Sequence, residues 1–190
     1  MNTNTESQRA VEQDQTQFQK LISNSTSATL SMALVAVGLL VFRANAEMAV
    51  STTDKQFILA AAQGGMTEVK LGELASKNGQ RDDVKAFGQM MVKDHTGING
   101  DLKTLAAQKG VSLPGSLDGK HQAMVDKMAA LTGSEFDNAY IAGMIKDHKM
   151  DAKEFKAESA ETKDADIKSF VDKSIPVVDG HLKRITAMKK

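Results

Sequence analysis

One nine-residue pattern occurs twice in this chain. Phe87-Gly-Gln-Met-Met-Val-Lys-Asp-His95 returns 53 residues later as Tyr140-Ile-Ala-Gly-Met-Ile-Lys-Asp-His148. An aromatic residue, a Met, a β-branched residue, Lys, Asp and His stay in register, and Leu102 then falls opposite Phe155. The Met-x-x-x-His spacing puts both side chains on one helical face, because residues four apart are neighbours there. Two such helices predict a duplicated helical hairpin. The offset extends backwards, with Leu71 matching Met124 and the break at Asn78-Gly79 lying near that at Thr132-Gly133.

The surrounding sequence is helical punctuation throughout. A first helix starts at Thr53 or Asp54, both good N-caps, and stops at Asn78-Gly79. Its inward stripe is Phe57, Ala61, Gly64 or Gly65, Glu68, Leu71 or Gly72, and Ala75, small enough for a neighbouring backbone to come close. A second helix runs from Asp82 to Lys109, with Val84, Phe87, Met91, Ile98, Leu102 and Leu105 inward. After the Pro114-Gly115 turn, a short helix from Asp118 to Leu131 offers Met124, Met128 and Leu131. Ser134 is the expected cap of a helix over Glu135–Glu161, and a last helix spans Asp164–Met188 around Pro176. No segment alternates with period two. The predicted fold is all-α, a four-helix bundle with an extra short helix.

Composition agrees and narrows the function. Apolar residues make up 41% but aromatics only 4%, so Ala, Leu, Val and the eleven Met residues must fill the core. Lys plus Arg and Asp plus Glu both total 24, which gives no basic surplus and argues against nucleic acid as a partner. With no cysteine, disulfides, thiolate zinc sites and iron–sulfur clusters are excluded. Residues 28–42 form an apolar run, followed by Arg43 and Ala44-Asn45-Ala46. That reads as a signal peptide cleaved after Ala46, or as an uncleaved N-terminal anchor, since the run is short of the roughly 20 residues of a comfortable span. Residues 1–46 are thus expected as leader or anchor and 47–190 as the bundle domain, periplasmic or secreted. A membrane is expected as a partner only through that N-terminal segment, and no protein partner can be named.

Helix phasing selects the chemistry-bearing residues. At about 100° per residue, His148 falls near the centre of its apolar stripe, whereas His95 lies about 50° from the centre of its own. His181 is a boundary residue on the last helix, and Glu68 is central on the first. Four helices each offer one polar residue to a common interior: Glu68, His95, His148 and His181. Imidazole and carboxylate suit iron, manganese, zinc or copper, and Met91 and Met144 would add preference for copper(I). The alternative is a buried network in which Glu and His satisfy one another, with Met as core filler. His121 has only a surface role. No nucleophile elbow, phosphate loop or His-Glu-x-x-His is present, so no enzyme is expected.

Phe57-Ile-Leu-Ala-Ala-Ala-Gln-Gly-Gly-Met-Thr-Glu68, Met91-Val-Lys-Asp-His95, Phe136-Asp-Asn-Ala-Tyr140 and Met144-Ile-Lys-Asp-His148, in that order, carry a family resemblance over Asp54 to Ile185. The chain resembles the exported bacterial proteins of domain of unknown function 4142, often described as predicted outer membrane proteins. The resemblance implies a ferritin-like bundle outside the cytoplasm and no established activity. No alternating β-barrel segment accompanies it. Ferritin-like di-iron sites need Glu-x-x-His on two helices, but Val92 and Ile145 stand three before His95 and His148. Ferroxidase chemistry is therefore not expected. The functional expectation is an exported bundle with an envelope-stress or surface-interaction role, and the alternative is a periplasmic copper- or iron-binding protein using the inward Glu and His.

Overall fold

The computed structural model describes residues 50–189, so the expected leader or anchor over 1–46 lies outside the described residues. Five helices follow in order: α1 (Thr52–Asn78), α2 (Asp82–Gln108), α3 (Gly119–Ala129), α4 (Gly133–Glu161) and α5 (Ala165–Ala187). Among the described residues there is no strand, and no helix is long and apolar enough to cross a membrane.

The ends are set by local chemistry. Ser51, not Thr53 or Asp54, caps α1, its hydroxyl accepting from the Asp54 N–H at 3.0 Å. A Ser oxygen there satisfies a helical donor that would otherwise go unpaired. Asp118 caps α3 and Asp164 caps α5 in the same way. Ser134 caps nothing: the chain enters α4 from Thr132 through Gly133 at φ +59°, a conformation that favours glycine. Gly110, at φ +64°, closes α2, with the Val111 N–H reaching back to the Ala106 carbonyl at 2.8 Å. Pro176 lies within α5 without ending it.

The helices form a ferritin-like bundle. α1 packs on α2 and α4, and α5 packs on the same two, so the order around the bundle is α1, α2, α5, α4. The two copies of the repeated motif, on α2 and α4, therefore stand at opposite corners. They run parallel, since buried Asp137 at the start of α4 accepts from the backbone N–H groups of Gln80 and Arg81, at 2.9 and 2.8 Å, just before α2 begins. The connection through α3 is the long crossover that parallel placement needs. Asp137→Ala would leave both part-buried amides without this acceptor, with water able to replace it only in part. A hydrogen bond to a charged group contributes about 1.5–3 kcal/mol, so urea denaturation should show a loss of roughly 2–3 kcal/mol, and Asp137→Asn, which keeps one acceptor, about half of that.

The interior has three layers. One apolar cluster gathers Leu71, Phe87, Met91, Phe136, Tyr140, Met144 and Ile185, and the other Ile58, Leu102, Leu105, Phe155, Ile167 and Phe170. Between them, at one level on four helices, lie Glu68, His95, His148 and His181. Met91 and Met144 belong to the first apolar cluster, as core filler should. The α1 stripe is rotated slightly from expectation: Ile58 and Ala62 are buried while Phe57 and Ala61 are half-buried. On α3 the buried residue is Val125, and Met124 is 38% exposed, because one face of an isolated short helix is all that α1 covers.

Small residues do let backbones meet. A Cβ on Gly88 would lie 2.6 Å from the Gly72 carbonyl oxygen, so α1 and α2 cross in contact. At the outer end of α4, burial and a hydrogen bond with Asp54 push the Glu158 carboxyl up to about 7. A carboxyl with a raised folded-state pKa stabilises fully below its unfolded value and loses that contribution as pH rises. The loss should run from about pH 4.5 to 7. Glu158→Gln, which mimics the protonated form, should match wild type in thermal stability at pH 4 and exceed it at pH 8.

Candidate metal centre

The four predicted residues come together. Glu68, His95, His148 and His181 are 4%, 3%, 0% and 3% exposed. His95 does not sit at an edge, as its stripe suggested, but between Glu68 of α1 and His181 of α5. The imidazole centroids are 5.2 to 5.9 Å apart, and one nitrogen from each histidine lies within 4.8 Å of the others. Phe87, the aromatic residue of the first motif, stands edge-on to both His148 and His181 at 6.5 and 6.2 Å between centroids.

Burial fixes the protonation states. Loss of solvation holds His148 down at about 3, helped by the neighbouring His95 and His181, and holds His95 at about 4. His181 is lowered by burial despite its bond to Asp94. The Glu68 carboxyl is raised well above its ordinary value, by burial first and by Asp147 second. Charge in a low-dielectric interior is disfavoured, so burial works against the charged form of all four. Glu68 Oε2 and His95 Nδ1, 2.9 Å apart, share one proton in a hydrogen bond.

The tautomers follow from the partners. His148 Nδ1–H donates to the Met144 carbonyl at 3.1 Å, which accepts only, so Nε2 carries a lone pair. His181 Nε2–H donates to the Asp94 carboxylate at 3.0 Å, so Nδ1 carries a lone pair. These two lone-pair nitrogens face each other at 3.4 Å. Glu68 Oε1, buried and without a hydrogen-bond partner, lies 3.5 Å from His148 Nε2. His95 Nε2 is likewise buried and unpaired.

Acceptors turned on each other without a donor repel. Two nitrogens on one metal, at bonds of about 2.0–2.1 Å, are held about 3.3–3.5 Å apart in tetrahedral geometry. The spacing thus fits a cation between them. The outer partners are those that orient metal-bound imidazoles, a backbone carbonyl and a carboxylate.

Sequence reasoning did not single out three residues near this centre: Asp94, which holds His181, and Asp147 and Asp151. Oxygens of Glu68, Asp147 and Asp151 and a His148 nitrogen lie within 4.8 Å of one another. The signal was the Asp that precedes His in both copies of the motif. Beside Glu68 is a cavity of about 40 Å³, lined by Gly64, Gly65, His95, Asn99 and Asp151 among others. His121 stays apart, bonded to Asp118 at 2.8 Å near the surface.

The model of the domain of unknown function DUF4142 matches residues 40–188. The chain belongs to this family. No curated protein matches the DUF4142 chain in sequence. Among solved structures it is similar to a DUF305 fragment from Deinococcus radiodurans, with a TM-score of 0.64, 10% identity, and coverage of 73% of this chain and 95% of that one. It is also similar to CopM in the Cu(I)-bound form, with a TM-score of 0.61, 18% identity, and coverage of 73% and 96%. CopM in an Ag-bound form gives a TM-score of 0.59 at 18% identity, covering 71% and 93%. At these identities the likeness concerns the fold, and what is shared is the helical bundle.

Proposed function

We propose that this DUF4142 protein binds a single copper ion in the bundle interior, through His95, His148, His181 and Glu68, and that it binds the metal without catalysing a reaction. The observation that carries this is the pair of lone-pair nitrogens, His148 Nε2 and His181 Nδ1, facing each other 3.4 Å apart with no donor between them. A self-satisfied polar network would have placed a proton there. Three imidazoles and a carboxylate suit a late first-row ion, and copper heads the affinity order. Val92 and Ile145, where a di-iron bundle would carry Glu, speak against an iron centre. CopM, of similar fold, is known in Cu(I)-, Cu(II)- and Ag-bound forms.

The centre is deeply buried and offers no nucleophile, which favours holding an ion over turning over a substrate. Together with the leader-like sequence over 1–46, it supports a copper-binding role outside the cytoplasm. Equilibrium dialysis of the purified chain against Cu(II), and against Ag(I) as a probe for Cu(I), tests this. One ion per chain supports it, and none retained in either case sinks it.

A further inference from the structure

We infer that Glu68, Asp147 and Asp151 form a second, oxygen-rich cation position beside the histidine centre, suited to a hard divalent ion such as Mn(II). Asp147 and Asp151 stand one turn apart on α4 and meet Glu68 of α1, their oxygens and a His148 nitrogen lying within 4.8 Å of one another. Among the described residues no lysine or arginine forms an ion pair with any of the three. Lys120 and His121 of α3 act on Asp147 only from beyond ion-pair distance.

A second observation points to a ligand. His95 Nε2 and Asn99 Oδ1 are buried without a hydrogen-bond partner, and the buried Glu68 carboxyl has on this side only another carboxyl, that of Asp151. All three residues line the same cavity of about 40 Å³, together with Asp151. Buried polar atoms left unpaired are costly. That volume exceeds the roughly 10–15 Å³ one water needs, so water can complete a cation's shell there. Carboxylate, amide and water oxygens select magnesium, calcium or manganese over copper. The position shares only Glu68 with the copper centre, because the one free lone pair of His148, on Nε2, goes to copper.

Mn(II) binding tests it, read from loss of the six-line aqueous EPR signal when metal-stripped full chain is added, with and without one equivalent of Ag(I). Wild type should take up one Mn(II) in both conditions. Asp147→Asn and Asp151→Asn each exchange a carboxyl ligand for an amide of the same shape, and each should weaken Mn(II) by roughly tenfold or more while Ag(I) uptake stays unchanged. His181→Ala should lose Ag(I) and keep Mn(II). The inference is overturned if wild type takes no Mn(II), if Ag(I) displaces it, or if both Asn variants bind it as wild type does. Mn(II) retained by a wild-type chain that takes no Ag(I) supports this position and counts against the copper centre instead.

Discussion

Silver(I) or copper should raise the melting temperature of the wild-type protein by roughly 10 °C and leave that of His148→Ala unmoved. An ion at about a thousand times its dissociation constant stabilises the folded state by about 4 kcal/mol. In a domain of this size each kcal/mol shifts melting by about 2–4 °C. His148 is the residue to remove because its Nε2 faces both His181 Nδ1, at 3.4 Å, and Glu68 Oε1, at 3.5 Å. Without it the remaining donors no longer surround a point. The variant also opens a cavity in the core and should melt lower without metal, so the quantity to compare is the shift on adding the ion. His121→Ala, far from the centre, should retain the full shift. A wild-type shift within error of zero at saturating metal, or an equal shift in His148→Ala, would contradict the proposed centre.

The second large effect is expected at Gly88. An added Cβ would lie 2.6 Å from the Gly72 carbonyl oxygen, 2.7 Å from Ala75 Cβ and 2.9 Å from the Ser76 nitrogen. Two of these three atoms are backbone, and none is the movable end of a side chain. Gly88→Ala must therefore push α1 and α2 apart. Overpacking of this kind costs about 1–3 kcal/mol, and rigid obstacles place it at the upper end, against a helix-propensity gain of only about 1 kcal/mol. A net loss of about 2 kcal/mol corresponds to roughly 4–8 °C in melting temperature. Gly97→Ala, on the same helix with nothing within 4 Å of the added Cβ, should move the other way, stabilising by about 0.5–1 kcal/mol. Because His95 lies two turns beyond Gly88, the parted helices should also weaken metal binding in the Gly88 variant.

Much of this molecule is legible in its sequence because helices write their own phase and ends. The helix starts at Asp118 and Asp164, the stop at Asn78-Gly79, and the inward positions of Phe87, Met91 and His148 follow from spacing and side-chain chemistry alone. So does the meeting of Glu68, His95, His148 and His181, since each lies on or near the apolar face of its own helix. The depth of His95 does not follow. A stripe centred on apolar side chains misses an arc buried by polar neighbours, and here those neighbours are Glu68 and His181 on other helices. Asp94 escapes for the same reason: its partner His181 lies 87 residues away, and a single helix's periodicity carries no information about cross-helix register. Ser51 in place of Thr53 or Asp54 is a smaller miss, one of several adjacent residues able to cap.

The repeated motif supplies two of the centre's four residues. The repeated Asp-His pair places His95 and His148 on helices at opposite corners, while Glu68 on α1 and His181 on α5 fill the other two. The Asp of one copy holds His181, and the Asp of the other crowds Glu68. The repeated Asp-His pair thus borders a nitrogen-rich cluster on one side and an oxygen-rich one on the other.

X-ray absorption at the copper edge, on the purified chain loaded with one equivalent, reads the donors directly. The proposed centre predicts a shell of nitrogen and oxygen at about 2.0 Å, with the multiple-scattering pattern of three imidazoles and no sulfur. A shell dominated by sulfur would transfer the copper to the methionines, and copper without imidazole scattering would leave the three histidines as a structural network.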